Sequence, residues 1–403
     1  MKYGLPFSAK RGRIVSSFHR KILSKAVVPA SAIALYLHIP FCRGKCPYCD
    51  FYSVPGTQTL CDAYTQTLAA QLAHWGEKLR RAGAPRAVAS LYFGGGTPSR
   101  LGAQNIAALL AAAKAHFALL PEAEITLECN PSDLAENAFD LQIAVNAGVS
   151  RVSLGLQSAV ESERRALGRQ GDAAAVEAAL RRVRAAGINN FSLDLMLGIP
   201  GQTPQSLVES IRFCAEQEAA HVSAYLLKIE EGTPFFAQKE SLDLPDEEQT
   251  AQRYLAACEM LEQAGYAQYE ISNFARPGKE SRHNLAYWDG REYLGLGPAA
   301  HSFLAGERFY YPADLAAFSA DAQPIPDGAG GDFEEYAMLR LRLNEGLTQQ
   351  GTRERFGQDI PAHITEKARR FAQQGLLRQD ANGIALTKQG FLFSNHIIGE
   401  LLY

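Results

Sequence analysis

The stretch from His38 to Cys49, HIPFCRGKCPYC, places Cys42, Cys46 and Cys49 in the spacing C-x3-C-x2-C. Three thiolates in one short loop can each bind one iron of a cubane [4Fe–4S] cluster and leave the fourth iron open to a small molecule. Two alternatives fit the same spacing. One is a structural zinc site with His38 as the fourth ligand, and the other is a set of three buried thiols without a ligand.

Composition restricts the class of protein. With 403 residues, the chain can form one large barrel plus an appendage, and its 47% hydrophobic and 21% charged residues are typical of a globular protein. The net charge of −3 does not favour nucleic acid as a partner, because nucleic-acid binders usually carry a strong basic excess. Seven cysteines, three of them in one loop, differ from a secreted disulfide framework and indicate the reducing cytoplasm.

Residues 1–30 differ from the rest of the chain because they contain seven Lys or Arg and no acidic residue. They lack the continuous apolar core of a signal peptide, and no other stretch approaches transmembrane length. We predict a disordered basic extension. A targeting role or contact with a membrane surface is the alternative, so the expected location is cytoplasmic, with peripheral membrane association as an option.

Apolar runs alternate with amphipathic stretches over the first two thirds of the chain. The predicted strands are residues 33–38, 87–93, 124–129, 151–156, 190–195 and 221–226. The predicted helices are residues 62–81, 105–119, 134–147, 173–186, 204–218 and 247–264. Repeated βα units predict parallel strands, in either a barrel or a doubly wound sheet.

Polar residues follow these predicted strands at the same end. The cysteine loop follows the first strand, the glycines Gly94–Gly96 follow the second, and Glu128, Gln157 and Asp194 lie near the ends of the next three. In a parallel barrel the carboxyl ends of the strands share one mouth, where active sites lie. The pattern therefore predicts an α/β fold built on a partial (β/α)6 TIM-like barrel, with its site at this mouth.

The residue types at the mouth indicate a ligand. Gly94–Gly96, followed by Thr97, allow the backbone to approach a ligand closely, although a tight turn explains three glycines equally well. Glu128 and Asp194 can accept hydrogen bonds from ribose hydroxyls, although such acids are often caps. Arg169 can pair with a carboxylate in the forked geometry that arginine favours. The ligand described in this way has an amino acid part, a ribose and a positive centre.

Four motifs together carry a resemblance to a known family. The sequence resembles the radical S-adenosylmethionine (SAM) superfamily, and within it the branch that holds oxygen-independent coproporphyrinogen III oxidase and the haem chaperone HemW. The resemblance runs from about residue 34 to the C-terminus. Its motifs are Tyr36-x-His38-Ile39-Pro40-Phe41-Cys42-x3-Cys46-x2-Cys49, Gly94-Gly95-Gly96-Thr97-Pro98, Glu128-Cys129-Asn130-Pro131 and Gly198-Ile199-Pro200-Gly201-Gln202-Thr203.

The resemblance implies cofactors and the residues that hold them. It implies a [4Fe–4S] cluster on Cys42, Cys46 and Cys49 and a SAM molecule beside it. The cluster would reduce the sulfonium of SAM by one electron and give methionine and a 5′-deoxyadenosyl radical, while the barrel supplies orientation and excludes water. The residues implied for the SAM site are Tyr36, Gly94, Gly95, Gly96, Thr97, Glu128, Gln157, Arg169 and Asp194.

Two features favour the chaperone within this branch. The oxidase has a further cysteine two residues after the third cluster cysteine, where this chain has Phe51. The stretch His283-Asn284-x-x-Tyr287-Trp288 resembles the HNxxYW signature of the chaperone, which is associated with haem binding. His283 can ligate haem iron and the aromatics can stack on a porphyrin. Without the resemblance, the more common role for a residue such as His283 is that of a hydrogen-bonded core histidine. The alternative iron ligands are His38, His221 and His301.

The C-terminal part changes character at about residue 334. Helices over 335–343 and 361–374, followed by a small hairpin, predict an α+β winged-helix-like module that packs or interacts with a partner. The basic residues of its candidate recognition helix are only Lys367, Arg369 and Arg370, so the sequence does not predict a DNA-binding module. We therefore predict a basic extension (1–30), a barrel (31–270), a connecting region with the HNxxYW motif (271–333) and this module (334–403).

The expected function is that of a haem chaperone, which binds haem and transfers it to apo-haemoproteins. The alternatives are an oxidase of coproporphyrinogen III and a radical SAM enzyme with another substrate. The resemblance implies as partners haem, apo-haemoprotein acceptors that include membrane respiratory proteins, an electron donor of the flavodoxin or ferredoxin type, and a second copy of the chain in a homodimer.

Overall fold

The protein is described by a computed structural model that covers residues 32–169 and 173–403. The basic extension predicted for residues 1–30 lies outside the described residues. The strands, in chain order from β1 to β17, are Ile33–Ile39, Phe41–Cys42, Val54–Pro55, Ala87–Gly95, Ala118–Cys129, Arg151–Gln157, Phe191–Leu197, His221–Leu226, Ala267–Glu270, Asn273–Ala275, Tyr293–Leu296, His301–Leu304, Glu307–Tyr310, Ile325–Ala329, Leu347–Thr348, Leu377–Asp380 and Gly383–Leu386.

The helices surround the sheet and build the C-terminal part. In chain order from α1 to α16 they are Gln58–Arg81, Ala103–His116, Pro131–Ala135, Leu141–Ala147, Glu161–Ala166, Ala173–Ala185, Pro204–Glu216, Pro234–Gln238, Glu247–Gln263, Arg282–Trp288, Leu315–Ser319, Phe333–Arg340, Gln349–Phe356, Ala362–Gln373, Lys388–Leu392 and Ser394–Leu402. Short 3-10 turns lie at Pro98–Leu101 and Lys239–Ser241. None of the helices in the described parts of the chain is long and apolar enough to cross a membrane.

The predicted barrel strands are confirmed. Strands β1, β4, β5, β6, β7 and β8 lie side by side in one sheet, and each pairs with its neighbour in parallel. Parallel strands of this kind are covered on both faces, which explains why six of the seven residues of β1 are buried. The sheet is open, because its outermost strands β14 and β9 lie at opposite ends of the strand order.

The region predicted as a connection adds strands on both sides of this sheet, and of the outer strands only the edge strand β9 lies in the predicted barrel. Strands β10 and β9 extend it in antiparallel fashion beyond β8, and β11 pairs in parallel with β1 on the other side. Strands β12, β13 and β14 then continue outward as antiparallel neighbours. These strands have five residues or fewer and carry many polar residues, so they lack the apolar runs that marked the central strands.

Helix α1 fixes this extension to the barrel. The indole of Trp75 stacks on Phe309 of β13, with ring centroids 5.2 Å apart and planes 3° from parallel. Its Nε1 also donates a hydrogen bond to the Tyr311 hydroxyl at 3.0 Å. An aromatic pair contributes about 0.5–1.5 kcal/mol beyond its burial, so the edge strands are a packed part of the barrel wall.

Two predicted helices differ from the observed ones. The helix predicted over 105–119 ends at His116, because the chain enters the long strand β5 at Ala118. The stretch predicted as one helix over 134–147 forms α3 and α4 instead. Each has its own N-terminal cap, with the Asn130 side chain accepting from the Ser132 amide and the Asp140 side chain accepting from the Gln142 amide.

The C-terminal part has the predicted α+β character. Its strands form an antiparallel sheet in the order β15, β17, β16, and helices α13 and α14 precede the β16–β17 hairpin. Helices α15 and α16, which were not predicted, complete it. Helix α16 packs on α14 and α12, and it buries Ile397, Ile398 and Leu401.

Candidate functional site at the barrel mouth

Two adjoining cavities open at the carboxyl ends of the barrel strands. The first, called the cysteine cavity, has a volume of about 530 Å3 and is lined by Cys42, Cys46 and Cys49. The second, called the aromatic cavity, has a volume of about 460 Å3 and lies on the β1 and β11 side. Phe51, Gly95 and Glu128 line both of them. These volumes are within the range of small-molecule and cofactor sites.

The cysteine loop and the glycine loop are held together by backbone hydrogen bonds. The amide of Gly96 donates to the Ile39 carbonyl at 2.9 Å, and the amide of Thr97 donates to the Phe41 carbonyl at 2.8 Å. The Thr97 hydroxyl lies 3.4 Å from the Cys42 sulfur. The two loops therefore continue the pairing of β1 with β4 beyond the sheet and present sulfur and backbone to one cavity.

Only glycine fits at two positions of this loop. Gly95 has φ of 115°, and a Cβ atom there would lie 2.5 Å from the His38 ring. A Cβ atom on Gly96 would lie 2.9 Å from the Phe41 carbonyl oxygen and 3.1 Å from the Cys42 sulfur. The loop is thus packed tightly against the cysteine loop, and it cannot be a generic turn.

The cysteine set does not suit the zinc alternative. His38 is directed elsewhere, because its Nδ1 lies 3.1 Å from the Tyr36 hydroxyl and its Nε2 lies 3.2 Å from the Tyr52 carbonyl oxygen. A cubane cluster needs no histidine ligand, since each of the three thiolates would bind a different iron.

Two acidic side chains line the cysteine cavity together with the cysteines. Glu128 accepts a hydrogen bond from the Tyr92 hydroxyl at 2.7 Å, and burial raises the pKa of its carboxyl to about 7 in spite of that bond. Asp194 accepts a hydrogen bond from the Ser153 hydroxyl at 3.2 Å, and burial also raises the pKa of this carboxyl. Both carboxyls retain acceptor capacity for donors of a ligand, such as hydroxyl or amino groups.

Arginine side chains balance these acids. Arg169 lines the cysteine cavity, and its Nε is buried without a hydrogen-bond partner among the described residues. An unpaired buried donor beside a cavity fits a ligand carboxylate, which a guanidinium binds in a fork. Arg151, at the start of β6, is 2% exposed and lies among Glu124, Tyr92 and Asp194, and the negative charge of the two acids raises its pKa against the effect of burial.

Gln157 reaches this cavity through local backbone strain. Its φ of 66° is in the left-handed region, and the β6–β7 register shifts between Gly155 and Gln157. A left-handed conformation is uncommon for residues other than glycine and, with a bulge, is typical of functional sites. The Gly198–Thr203 motif has a supporting role. Gln202 accepts from the Gly198 amide at 2.8 Å and donates to the Met196 carbonyl oxygen at 3.1 Å, which fixes the exit from β7.

The aromatic cavity is built mainly from residues that the strand pattern did not indicate. Its lining combines Tyr36 and His38 of β1 with Tyr287, Tyr293 and His301. Tyr287 and Tyr293 pack edge to face, with ring centroids 4.6 Å apart. The cavity therefore combines aromatic faces with imidazole, which suits a flat, partly apolar ligand.

His283 lies behind this cavity and does not line it. The imidazole is 1% exposed, with Nδ1 2.9 Å from the Ser90 hydroxyl and Nε2 2.9 Å from the Tyr287 hydroxyl. Burial lowers its pKa to about 3. Both ring nitrogens are already engaged in this placement, so the predicted role as iron ligand would require one of them to give up its partner. Helix α10 does place His283 and Tyr287 on one face, as expected, and Glu124 anchors it by accepting from the Arg282 amide at 2.9 Å.

The structure thus divides the predicted site residues. Tyr36 lines the aromatic cavity only, and Gly94 and His283 line neither cavity. The residues brought together in the cysteine cavity are Cys42, Cys46, Cys49, Gly95, Gly96, Thr97, Glu128, Gln157, Arg169 and Asp194. The residues that sequence reasoning missed include Arg151, whose charge within an apolar strand was an available signal, and Arg308 and Phe51 in the aromatic cavity.

Comparison with known proteins agrees with this architecture. Residues 36–214 match the family model of the radical SAM superfamily, and residues 332–393 match that of the HemN C-terminal domain. The structure resembles that of coproporphyrinogen III oxidase (HemN) from Escherichia coli, with a TM-score of 0.74 over 94% of this chain and 91% of that chain. At 24% identity this likeness concerns the fold, a radical SAM barrel with a C-terminal domain.

Sequence relatives are more specific. The heme chaperone HemW of Mycobacterium tuberculosis is 35% identical over 94% of this chain and 96% of the relative. The heme chaperone HemW of Bacillus subtilis is 33% identical over 91% of this chain and 98% of the relative. The mitochondrial radical S-adenosyl methionine domain-containing protein 1 of Danio rerio is 35% identical over 83% of this chain and 79% of the relative. The chain therefore belongs to the radical SAM superfamily and, within it, to the HemW family.

Proposed function

We propose that this protein is a haem chaperone, which binds haem and releases it to apo-haemoproteins. The observation that carries the proposal is the pair of adjoining cavities, one lined by three cysteines and the other by aromatic and imidazole side chains. Family membership supports it, because the relatives are named heme chaperones. The expected acceptors include membrane respiratory proteins.

The cysteine cavity is proposed to hold a [4Fe–4S] cluster and SAM. Cys42, Cys46 and Cys49 would bind the cluster, and Arg169 would bind the carboxylate of SAM with its unpaired Nε. Bound together, cluster and SAM supply one-electron chemistry, for which a donor of the flavodoxin or ferredoxin type is the expected source. Binding requires thiolates, and because burial raises the pKa of the Cys49 thiol, the positive charge of iron has to displace its proton.

The remaining residues of the cavity would position SAM. Glu128 and Asp194 would accept hydrogen bonds from the ribose hydroxyls, with their charge balanced by Arg151 and Arg169. Gly95, Gly96 and Thr97 bring backbone close to the cysteines, where the amino acid part of SAM is expected. Tyr92 holds the Glu128 carboxyl in place through its hydroxyl. Phe51, which is 64% exposed, covers the boundary with the aromatic cavity.

The experiment compares two substrates on the same protein. Anaerobically reconstituted protein is mixed either with haem, or with coproporphyrinogen III, SAM and a reductant. We expect a stable haem complex that survives gel filtration, transfer of its haem to the apo-form of a respiratory haemoprotein, and no decarboxylation of coproporphyrinogen III. Serum albumin loaded with the same haem is the control for passive release.

Other outcomes select the alternatives. Decarboxylation of coproporphyrinogen III without retained haem would support the oxidase alternative instead. The oxidase has a cysteine at the position where this chain has Phe51. Absence of both activities leaves a radical SAM reaction on another substrate. Gel filtration with and without haem also tests the proposed homodimer.

A further inference from the structure

Two histidines that line the aromatic cavity, His38 and His301, and one that does not line it, His283, are the candidate ligands for haem iron, and they differ in availability. A histidine binds iron through the lone pair of a ring nitrogen, so a nitrogen held in a hydrogen bond has to give up its partner first. His38 is 5% exposed and both of its ring nitrogens have partners, namely Tyr36 and the backbone of Tyr52. His283 is 1% exposed and engaged in the same way by Ser90 and Tyr287.

His301 is different. It is the first residue of β12, it is exposed, and it lines the aromatic cavity. Within residues 32–169 and 173–403, neither of its ring nitrogens has a hydrogen-bond partner. Its ring is oriented by stacking on Tyr310, with centroids 5.2 Å apart and planes 23° from parallel. His301 is therefore a fixed imidazole with free nitrogens at the edge of a cavity.

The same cavity contains a cationic side chain. Arg308 lines it from β13, next to β12 in the sheet, and its Nη1 donates to the Tyr293 hydroxyl at 3.1 Å. Its guanidinium is paired with Glu335 and lies over the Phe303 ring. Haem carries propionate carboxylates at one edge, and a guanidinium is their natural partner. The pair with Glu335 means that a propionate would share or replace this carboxylate.

We infer that His301 binds the iron of haem in the aromatic cavity, and that Arg308 faces a haem propionate. The inference rests on the proposed function and adds the site and the ligand. It assigns His283 a positioning role, in which its imidazole fixes the Tyr287 phenol that forms one side of the cavity. Phe51, exposed at the boundary, would cover one face of the porphyrin.

The test is a titration of the full-length protein with ferric haem, followed by absorbance in the Soret region and by electron paramagnetic resonance. The variants are His301→Ala and, as a side chain of similar size without a metal-binding imidazole, His301→Gln. His363→Ala is the matched control, because His363 is an exposed histidine on α14 that lines neither cavity. Circular dichroism and the iron–sulfur absorbance report on the fold and the cluster.

We expect both His301 variants to shift the Soret band, to lose the resonance of histidine-ligated iron and to bind haem about tenfold or more weakly. His363→Ala should match the parent. Arg308→Gln should weaken binding while the iron resonance stays unchanged. If the parent protein retains haem and the iron resonance is unchanged in both His301 variants, the assignment of His301 is wrong. The proposed function is not affected by that result. A parent that retains no haem contradicts the proposed function and the inference with it.

Discussion

The cysteine cavity and the aromatic cavity meet along Phe51, Gly95 and Glu128, yet they are built in different ways. Ten of the predicted site residues lie in the cysteine cavity, and all but Arg169 lie on neighbouring parallel strands or in the loops at their carboxyl ends. The aromatic cavity combines β1 with α10 and the antiparallel strands β12 and β13. The conserved geometry of a barrel mouth therefore organises one cavity, and packing between distant segments creates the other.

The comparison predicts that the cavities bind their ligands independently, and Cys46→Ala should show the largest effect. After anaerobic reconstitution we expect about four irons per parent chain, as one cubane cluster requires, and loss of the cluster in the variant. SAM binding should fall with it. Haem binding should persist, because no cysteine of the loop lines the aromatic cavity. Iron analysis measures the loss of the cluster, and a haem titration measures the haem affinity of the parent and the variant.

Cys214→Ala is the control for this experiment, since Cys214 is a buried thiol of α7 that lines neither cavity. It should keep its cluster. Tetrahedral zinc in place of iron–sulfur absorbance in the parent would contradict the proposed cluster. Loss of haem together with the cluster would show that the two cavities act as one site.

The contrast between the cavities also shows what the sequence could reveal. The six barrel strands were predictable because each is a short apolar run between helices, and the positions of Glu128, Gln157 and Asp194 followed from them. The outer strands were missed, because β12 and β13 have four residues each and mix polar with apolar side chains. His301 and Arg308 lie on those strands, so their common cavity could not be inferred from the pattern.

The sequence allowed for a hydrogen-bonded His283, but it did not identify the partners of its ring nitrogens. The HNxxYW motif identifies a histidine and a tyrosine one helical turn apart, but Ser90, which occupies the other ring nitrogen, belongs to β4. Asn284 of the same motif lines the cysteine cavity while Tyr287 lines the aromatic cavity. A short motif thus predicted the right region, and only the tertiary contacts show which of its atoms are free.

The second prediction is confined to the cysteine cavity. Asp194→Ala should weaken SAM binding about tenfold or more, because loss of a hydrogen bond to a charged group costs about 1.5–3 kcal/mol. The cluster absorbance should persist, since the carboxylate is not expected to touch iron. Equilibrium dialysis with SAM on reconstituted protein measures the effect. Asp243→Ala, at an exposed aspartate outside both cavities, is the control, and equal SAM affinity in both variants would place the ribose elsewhere.

The third prediction concerns Glu128, which faces both cavities. Its pKa is raised from 4.5 to about 7 by burial, so the folded state disfavours the charged form. The parent should therefore lose stability relative to Glu128→Gln as the pH rises from about 4.5 through 7, and the difference should then stay constant. Its size should be about 3 kcal/mol, because one unit of pKa shift corresponds to about 1.4 kcal/mol.

Urea unfolding of both proteins without cofactors at pH 5 and pH 8 measures this difference. At pH 8 the variant should be the more stable protein and yet bind SAM more weakly, which separates a ligand-binding carboxyl from a structural one. A variant that is less stable than the parent at both pH values would assign Glu128 a purely structural role.

The smallest expected effect distinguishes the two roles of the HNxxYW histidine. Tyr287→Phe removes the hydroxyl that lies 2.9 Å from Nε2 of His283 and leaves this buried nitrogen unpaired, at a cost of about 1 kcal/mol in the free energy of unfolding. Tyr293→Phe is the matched control, because that hydroxyl also borders the aromatic cavity but bonds to Arg308. If His283 only positions Tyr287, the iron resonance of bound haem should be the same in both variants. If His283 is the iron ligand, freeing its Nε2 should strengthen haem binding in Tyr287→Phe alone, and the assignment of His301 would then be wrong.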